Sequence, residues 1–415
     1  MKKISNILLF LLCSSITYSQ KLETAIDLLK NNKLVEAKNE IESFLQVKPK
    51  NAEAFYIKVK IYNAISQDLQ LGKQYPNARM EAFNALKKYT EIDDKMLISL
   101  QIDGYKPIND IYTGWYQSGA SAFNNKDYTV AFTDFVNAVA VSKFMNEKGW
   151  IVMPLDTNAV LYAGIAAEKL SRFDDAVHYY EMLVKARAKG EGFVEIYKWV
   201  ANHYYEKKNY TEAAIMLMIG KEVYPGDPFW TSLELDMVRV TGNRDQLFAK
   251  YEQTISGDPG NHLYRYNYAA EIYLYAYNTD PSMRPENSEQ LIVKAIAQLQ
   301  EAIRLKPDFA KAQLFAGQLF YNQGVDILDR AKGMKGTLPA DVKKRADTKA
   351  EAIKKFDEAT PYFIKLESLL SAQAKLNTDD VTALKEAYDL LITIYDQKGM
   401  KEKVTEYEDK FNKLK

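Results

Sequence analysis

Residues 195–225 read EIYKWVANHYYEKKNYTEAAIMLMIGKEVYP, and the fold follows from how that stretch divides. Tyr197, Val200, Ala201 and Tyr204 recur at steps of three, one and three, which sets them along one face of a helix. Lys207-Lys208-Asn209 then supplies a polar turn before Tyr210. Beyond it, Ala213, Leu217 and Gly220 again share a helical face, and Pro225 stands where this second helix must stop. Two helices joined by so short a turn make a hairpin. The small Ala213 lets a neighbouring helix approach closely, and the larger residue four positions on fills the groove between them.

The pattern of the second helix recurs along the chain. Ala37-Ile41-Phe44, Ala131-Phe135-Ala138, Ala176-Tyr180-Leu183, Ala295-Leu299-Ala302 and Ala352-Phe356-Ala359 repeat its spacing. The first helix recurs too. Val160, Ala163, Gly164 and Ala167 precede a turn at Ser171-Arg172 and then Phe173. Trp115, Gly119 and Ala122 precede Asn125-Lys126-Asp127 and Tyr128. Pro49, Pro225, Pro259 and Pro307 fall where second helices end. Self-similarity of this kind marks a stack of identical supersecondary units.

These residues resemble the tetratricopeptide repeat (TPR), whose pattern is aromatic, Leu, Gly, Tyr on one helix and Ala, Phe, Ala, Pro on the next. The resemblance spans residues 20–415 in about nine units. It implies an all-α chain: a right-handed α-solenoid of helix–turn–helix repeats forming one superhelix. Second-helix anchors at Ala131, Ala176, Ala213, Leu247, Ala295, Ala352 and Val404 are separated by 34 to 57 residues, against a family period of about 34. Insertions are therefore expected near Lys143–Asp156, Asn278–Glu289, Ala331–Lys349 and Ser371–Asp380. The second repeat, about 52–110, is degenerate, with Ala78-Ala82-Ala85 as its second-helix face. The highly charged segment 401–415 reads as a capping helix.

Residues 1–19 read as a cleaved signal peptide. Lys2 and Lys3 are followed by an apolar run from Ile7 to Leu12, and Thr17 and Ser19 place small residues ahead of a cut before Gln20. Leu12 occupies the position that a lipobox needs small, so Cys13 reads as part of the discarded leader. With Cys13 gone the mature chain has no cysteine, which excludes disulfides, thiol catalysis and Cys-bound metal. Lys plus Arg and Asp plus Glu number 55 each, and removing Lys2 and Lys3 leaves 53 against 55. That balance offers nucleic acid no global attraction. No second apolar stretch is long enough to span a membrane.

The motifs of catalysis are missing. His178 and His203 fall within repeat helices and His262 opens one, none at metal-ligand spacing. Glycines occur singly, with no phosphate-binding loop and no Gly-x-Ser-x-Gly. No cofactor, metal or enzymatic role is expected. Tyrosine is the unusual residue, with 29 copies. Tyr264, Tyr268 and Tyr275 would share one helical face, and Tyr266, Tyr273 and Tyr277 another. One face is expected in the core, the other on the concave side, where aromatics anchor a ligand.

The resemblance implies a groove lined by first-helix positions, here Tyr56, Tyr116, Lys198, Asn202, Tyr205, Tyr266, Tyr273, Lys311 and Tyr321. Lys198 and Asn202 match two positions of the family's carboxylate clamp. Ser232 and Leu263 depart from it, so no clamp is assigned. Phe144, Trp150, Ile151 and Met153, in the apolar segment 143–155, form either a docking loop or a lid packed on neighbouring helices. The basic stretch Lys332–Lys349 reads as a solvated extension. The expectation is a non-enzymatic scaffold of the bacterial cell envelope, periplasmic or outer-membrane-associated. It would hold a peptide or helix of a secretion or assembly component. The alternative is a carbohydrate-binding component of an outer-membrane uptake system.

Overall fold

The computed structural model describes residues 21–93 and 97–414; the expected leader, Cys13 and the cut before Gln20 lie outside them. The chain divides into two compact units, one ending at Trp230 and the other beginning at Thr231.

In the first unit, α1 (residues 21–30) and α2 (Leu34–Val47) make a hairpin. It is followed by α3 (Ala52–Gln67), the single turn α4 (Leu71–Gln74), α5 (Ala78–Ile92) and the short α6 (Ile98–Ile102). Three regular hairpins come next: α7 (Lys106–Asn124) with α8 (Tyr128–Glu147), α9 (Thr157–Lys169) with α10 (Phe173–Lys185), and α11 (Phe193–Glu206) with α12 (Tyr210–Val223). Helix α13 (Pro228–Thr241) carries the chain into the second unit. There it is joined to α14 (Arg244–Gly257) by an ion pair between Lys250 and Glu234, 2.8 Å. The second unit continues with α15 (His262–Ala276) and α16 (Ser288–Leu305), then α17 (Ala310–Gly333) and α18 (Pro339–Ser371), then α19 (Thr378–Gln397) and α20 (Lys401–Lys413).

Among the described residues these make nine hairpins, in keeping with the nine repeats read from the sequence. Most second helices also pack on the first helix of the next hairpin: α2 on α3, α5 on α7, α8 on α9, α10 on α11, α14 on α15, α16 on α17 and α18 on α19. Each unit is thus an all-α, TPR-like solenoid.

The triplets behave as their spacing requires. Ala37, Ile41, Ala131, Phe135, Ala138, Ala176, Leu183, Ala295, Leu299, Ala302, Ala352 and Ala359 are inaccessible to solvent, and Phe44, Tyr180, Leu217 and Phe356 are nearly so. The turns are equally regular. Asn32, Lys126, Ser171, Lys208 and Gly399 each sit in the left-handed region, with φ of 55°, 63°, 58°, 59° and 70°. After each, the main chain turns back on the helix it leaves. Lys208 N–H donates to the Tyr205 carbonyl and Asn209 N–H to that of Tyr204, both at 2.9 Å. This pair of bonds satisfies carbonyls that the helix end leaves open. Asn209 then caps α12 by accepting from Glu212 N–H, as Asp127 caps α8.

The prolines end helices at a fixed offset. Val47, Val223, Gly257 and Leu305 are last residues, and Pro49, Pro225, Pro259 and Pro307 follow two positions later. The intervening Lys48, Tyr224, Asp258 and Lys306 take ψ of 65°, 64°, 74° and 87°. A residue before proline is driven out of the helical region by the ring's Cδ.

The insertions take several forms. In the degenerate second repeat, α4 intervenes between the paired α3 and α5 where five of the other hairpins have three residues. The segment Ala331–Lys349 is mostly helix, because Pro339 opens α18 at a position that tolerates proline and the Ala- and Lys-rich sequence behind it favours helix. Only residues 334–338 leave the helices there. The segment near Asn278 is a non-helical connector with one 3-10 turn, Pro281–Met283. The cap α20 buries Tyr407 against Tyr388 and Tyr395 and leaves its charged residues outside.

Candidate functional site

Helix α15 carries the tyrosine cluster, and its two faces differ. Tyr268 is fully buried, its ring stacked 5.2 Å from Tyr251 and its hydroxyl donating to Glu252 at 2.9 Å. Tyr264 is half-buried. Tyr275 is 41% exposed, with the Arg244 guanidinium 5.3 Å from its ring centre. The expected core face therefore holds one core tyrosine, because Tyr275 falls at the end of the helix. Tyr266, Tyr273 and Tyr277 make the other face.

That second face faces α17. Tyr266, Tyr273 and Lys311 line one hollow of about 270 Å³ together with Leu274, Leu314 and Phe315. Phe315 lies edge-on to Tyr273 at 5.4 Å and close to Tyr266 at 5.9 Å. Next along α17, Tyr273 and Tyr321 line a second hollow of about 230 Å³ with Gln318, Asn322 and Glu386. Asn322 donates to the Tyr273 hydroxyl at 2.6 Å, and Gln318 donates to Glu386 of α19. Burial, with Tyr277 beside it, pushes the Tyr273 phenol up to about 12. It stays neutral, a donor as well as an acceptor, across the physiological range.

Four of the nine groove residues expected from sequence thus converge on the face shared by α15, α17 and α19. Leu274, Leu314, Phe315 and Gln318 were not singled out. Helical spacing from Lys311 to Tyr321 leads through Leu314, Phe315 and Gln318, and that stride was the signal available. Leu274, an apolar residue 75% exposed, had no sequence signature.

The five candidates of the first unit are engaged within the chain. Tyr56 is buried and donates to Asp103 at 2.6 Å. Tyr116 packs against Tyr112 and Phe135. Lys198 is held by Asp227 at 2.7 Å and Glu195 at 2.9 Å, and Asp227 in particular raises its pKa. Asn202 donates to Glu206 at 2.8 Å, and the Tyr205 ring lies 5.8 Å from Tyr210.

In the apolar segment 143–155, Phe144 stands on α8 rather than in a loop. Its ring meets Phe83 at 5.6 Å and Trp150 at 5.5 Å, and Trp150 meets Tyr105 at 5.4 Å. Ile151 packs on the same core. Met153 and Val152 are the exposed members.

Residues 161–217, which run from α9 into α12, match the family model described as tetratricopeptide repeat. No curated protein sequence matches the chain. Among solved structures, the chain is similar to a TPR repeats protein from Bacteroides fragilis, at 18% identity over 67% of this chain and 98% of that one, with a TM-score of 0.31. It is also similar to the C-terminal part of a TPR repeat-containing protein from Cytophaga hutchinsonii, at 13% identity over 95% of each chain and a TM-score of 0.31. A tetratricopeptide repeat protein from Parabacteroides merdae aligns at 12% identity over 89% of this chain and 98% of that one, with a TM-score of 0.28.

Proposed function

The chain is a tetratricopeptide-repeat protein, and from that premise we propose that it is an exported, non-enzymatic scaffold that holds a peptide or helix of a cell-envelope partner. The family's fold is one of protein–protein interaction, and the site chosen here is the face of α15, α17 and α19. One observation carries the choice: Tyr266, Tyr273 and Lys311, selected by repeat position alone, border a single hollow with an exposed Leu274 beside it. Aromatic side chains with few rotatable bonds, fixed on packed helices, lose little entropy when a partner docks. The equal numbers of acidic and basic residues leave affinity to such anchors rather than to long-range charge. The relatives give the carbohydrate-binding alternative no support.

The test is affinity capture from envelope extract with the mature protein and with the double variant Tyr266→Ala, Lys311→Glu. Lys311 is exposed and Tyr266 is half-buried at the edge of the core, so an unchanged helical spectrum of the variant is the control for folding. A defined partner recovered by the parent and reduced at least tenfold by the variant is the expected result, since hot-spot aromatics typically contribute ~2 kcal/mol or more. Equal recovery by both would remove the site from this face. N-terminal sequencing of the chain from cell fractions checks export, and an intact Met1 in the cytosol would contradict it.

A further inference from the structure

The second unit contains another hollow, larger than the two on the α15–α17–α19 face. It has a volume of about 370 Å³ and lies among α16, α17 and α18, with Pro281 and Arg284 of the connector in its wall. Arg284 fixes the connector there through two bonds to Asp326, at 2.6 and 3.0 Å, and its guanidinium lies 4.3 Å from the Tyr277 ring centre.

Helix α17 supplies the floor. Leu319, Gln323, Ile327 and Arg330 follow one another at steps of four, four and three along a single stripe. The Gln323 Oε1 atom is buried and has no hydrogen-bond partner. A buried acceptor without a partner weakens the fold unless something else fills it. At the mouth, Arg330, Glu289 and Glu351 are exposed and make no ion pair among the described residues. The lining has as many acidic as basic side chains, which suits neither a polyanion nor a polycation.

The geometry points to a second peptide slot, which takes an extended segment of a partner protein with two aliphatic side chains four residues apart and a hydrogen-bond donor midway between them. Residues four apart on a helix are about 6 Å apart along its axis. Every second side chain of an extended strand is about 6.6 Å apart. A strand laid along α17 therefore sets its alternate side chains against successive residues of the stripe: an aliphatic one against Leu319, a hydrogen-bond donor over Gln323 Oε1 and a second aliphatic one against Ile327. The distance from Leu319 to Arg330 is ~16 Å, room for about five extended residues. The slot rests on the reading of this chain as a peptide holder, but uses neither Tyr266 nor Lys311.

The test is panning of a phage-displayed random heptapeptide library against the mature protein, followed by titration of the selected peptides into variants. Val293 is 61% exposed and borders the hollow, so Val293→Trp fills it without disturbing the core. Gln323→Leu removes the unpartnered acceptor. Selected peptides should show aliphatic residues four positions apart with a donor side chain midway, and should lose at least tenfold in affinity to both variants. They should bind Tyr266→Ala, Lys311→Glu as they bind the parent. Gln323→Leu should melt no lower than the parent, because it removes a buried acceptor that nothing in the chain satisfies; a structural amide would show the reverse. Peptides that lose affinity only to Tyr266→Ala, Lys311→Glu would overturn the slot and leave the proposed function standing. Enrichment of no peptide would overturn both. A lower melting temperature for Gln323→Leu with unchanged affinity would make the residue structural and overturn the slot.

Discussion

Gly164 has no side chain because Tyr180 occupies the space one would need. A Cβ built there would lie 2.5 Å from Tyr180 Cε1, and the phenol is pinned by a 2.7 Å bond from its hydroxyl to Glu168. Gly317 against Phe363 and Gly324 against Phe356 repeat the arrangement at the same separation. Gly164→Ala is expected to destabilise the chain by about 1–3 kcal/mol, read from the shift in chemical unfolding; an unchanged midpoint would mean that α9 and α10 separate freely. The same scale explains why tyrosine misleads. A buried phenol needs an acceptor for its hydroxyl. Tyr62 finds Glu42 at 2.7 Å, Tyr268 finds Glu252, and Tyr56 finds Asp103. Tyr56 matched a groove position in the repeat pattern, yet its acid partner lies 47 residues further along the chain. No local spacing announces such a pairing. Tyr266 and Tyr273 matched the same pattern and do border a hollow, because their neighbours there are aromatic and apolar rather than acidic.

Hairpins were the most legible elements. Their faces repeat every three or four residues, and the prolines that close them act through the residue just before, a purely local constraint. Loops were less legible. The segment from Ala331 to Lys349 carries no apolar stripe, so periodicity alone cannot reveal that it is helical; composition and Pro339 decide it. Phe144 belongs to α8, but no break in the apolar pattern marks where that helix stops, so sequence alone groups it with the segment that follows. The turns permit a sharper test. Lys208 takes a backbone conformation that costs a side chain about 1 kcal/mol or more. Glycine avoids that cost but gains freedom in the unfolded chain. Lys208→Gly should therefore raise stability by a net of about 0.5–1 kcal/mol, measured by urea titration. A fall in stability would show that the lysine side chain does more than turn the corner.

At the scale of the molecule, acid acts on hydrogen-bonded carboxylates and alkali on buried phenols. Lys294 and then Tyr268 hold the Glu252 carboxyl below its usual value of 4.5, and Tyr56 leads the groups that depress Asp103. A depressed carboxyl contributes stability above its unfolded pKa, and that contribution is lost as pH falls through the folded value. Burial pushes Tyr197, Tyr273 and Tyr388 from 10 up to about 12. Their contribution is complete below pH 10 and disappears as pH rises through about 12. Helicity followed by circular dichroism should hold a plateau between these limits. Loss on the alkaline side should coincide with the rise of tyrosinate absorbance. A transition between about pH 7 and 10 would contradict the assignment; burial lowers His203 from its usual 6.5, so its contribution is withdrawn only as pH falls below that value, on the acid side.

The division at Trp230 has an optical consequence. All four indoles, Trp115, Trp150, Trp199 and Trp230, belong to the first unit, and the second absorbs and emits only through its phenols. Excited at the red edge, the protein reports on its N-terminal half alone. Any melting curve taken that way is silent about the half that carries both proposed peptide sites, and a single tryptophan engineered there would restore its voice.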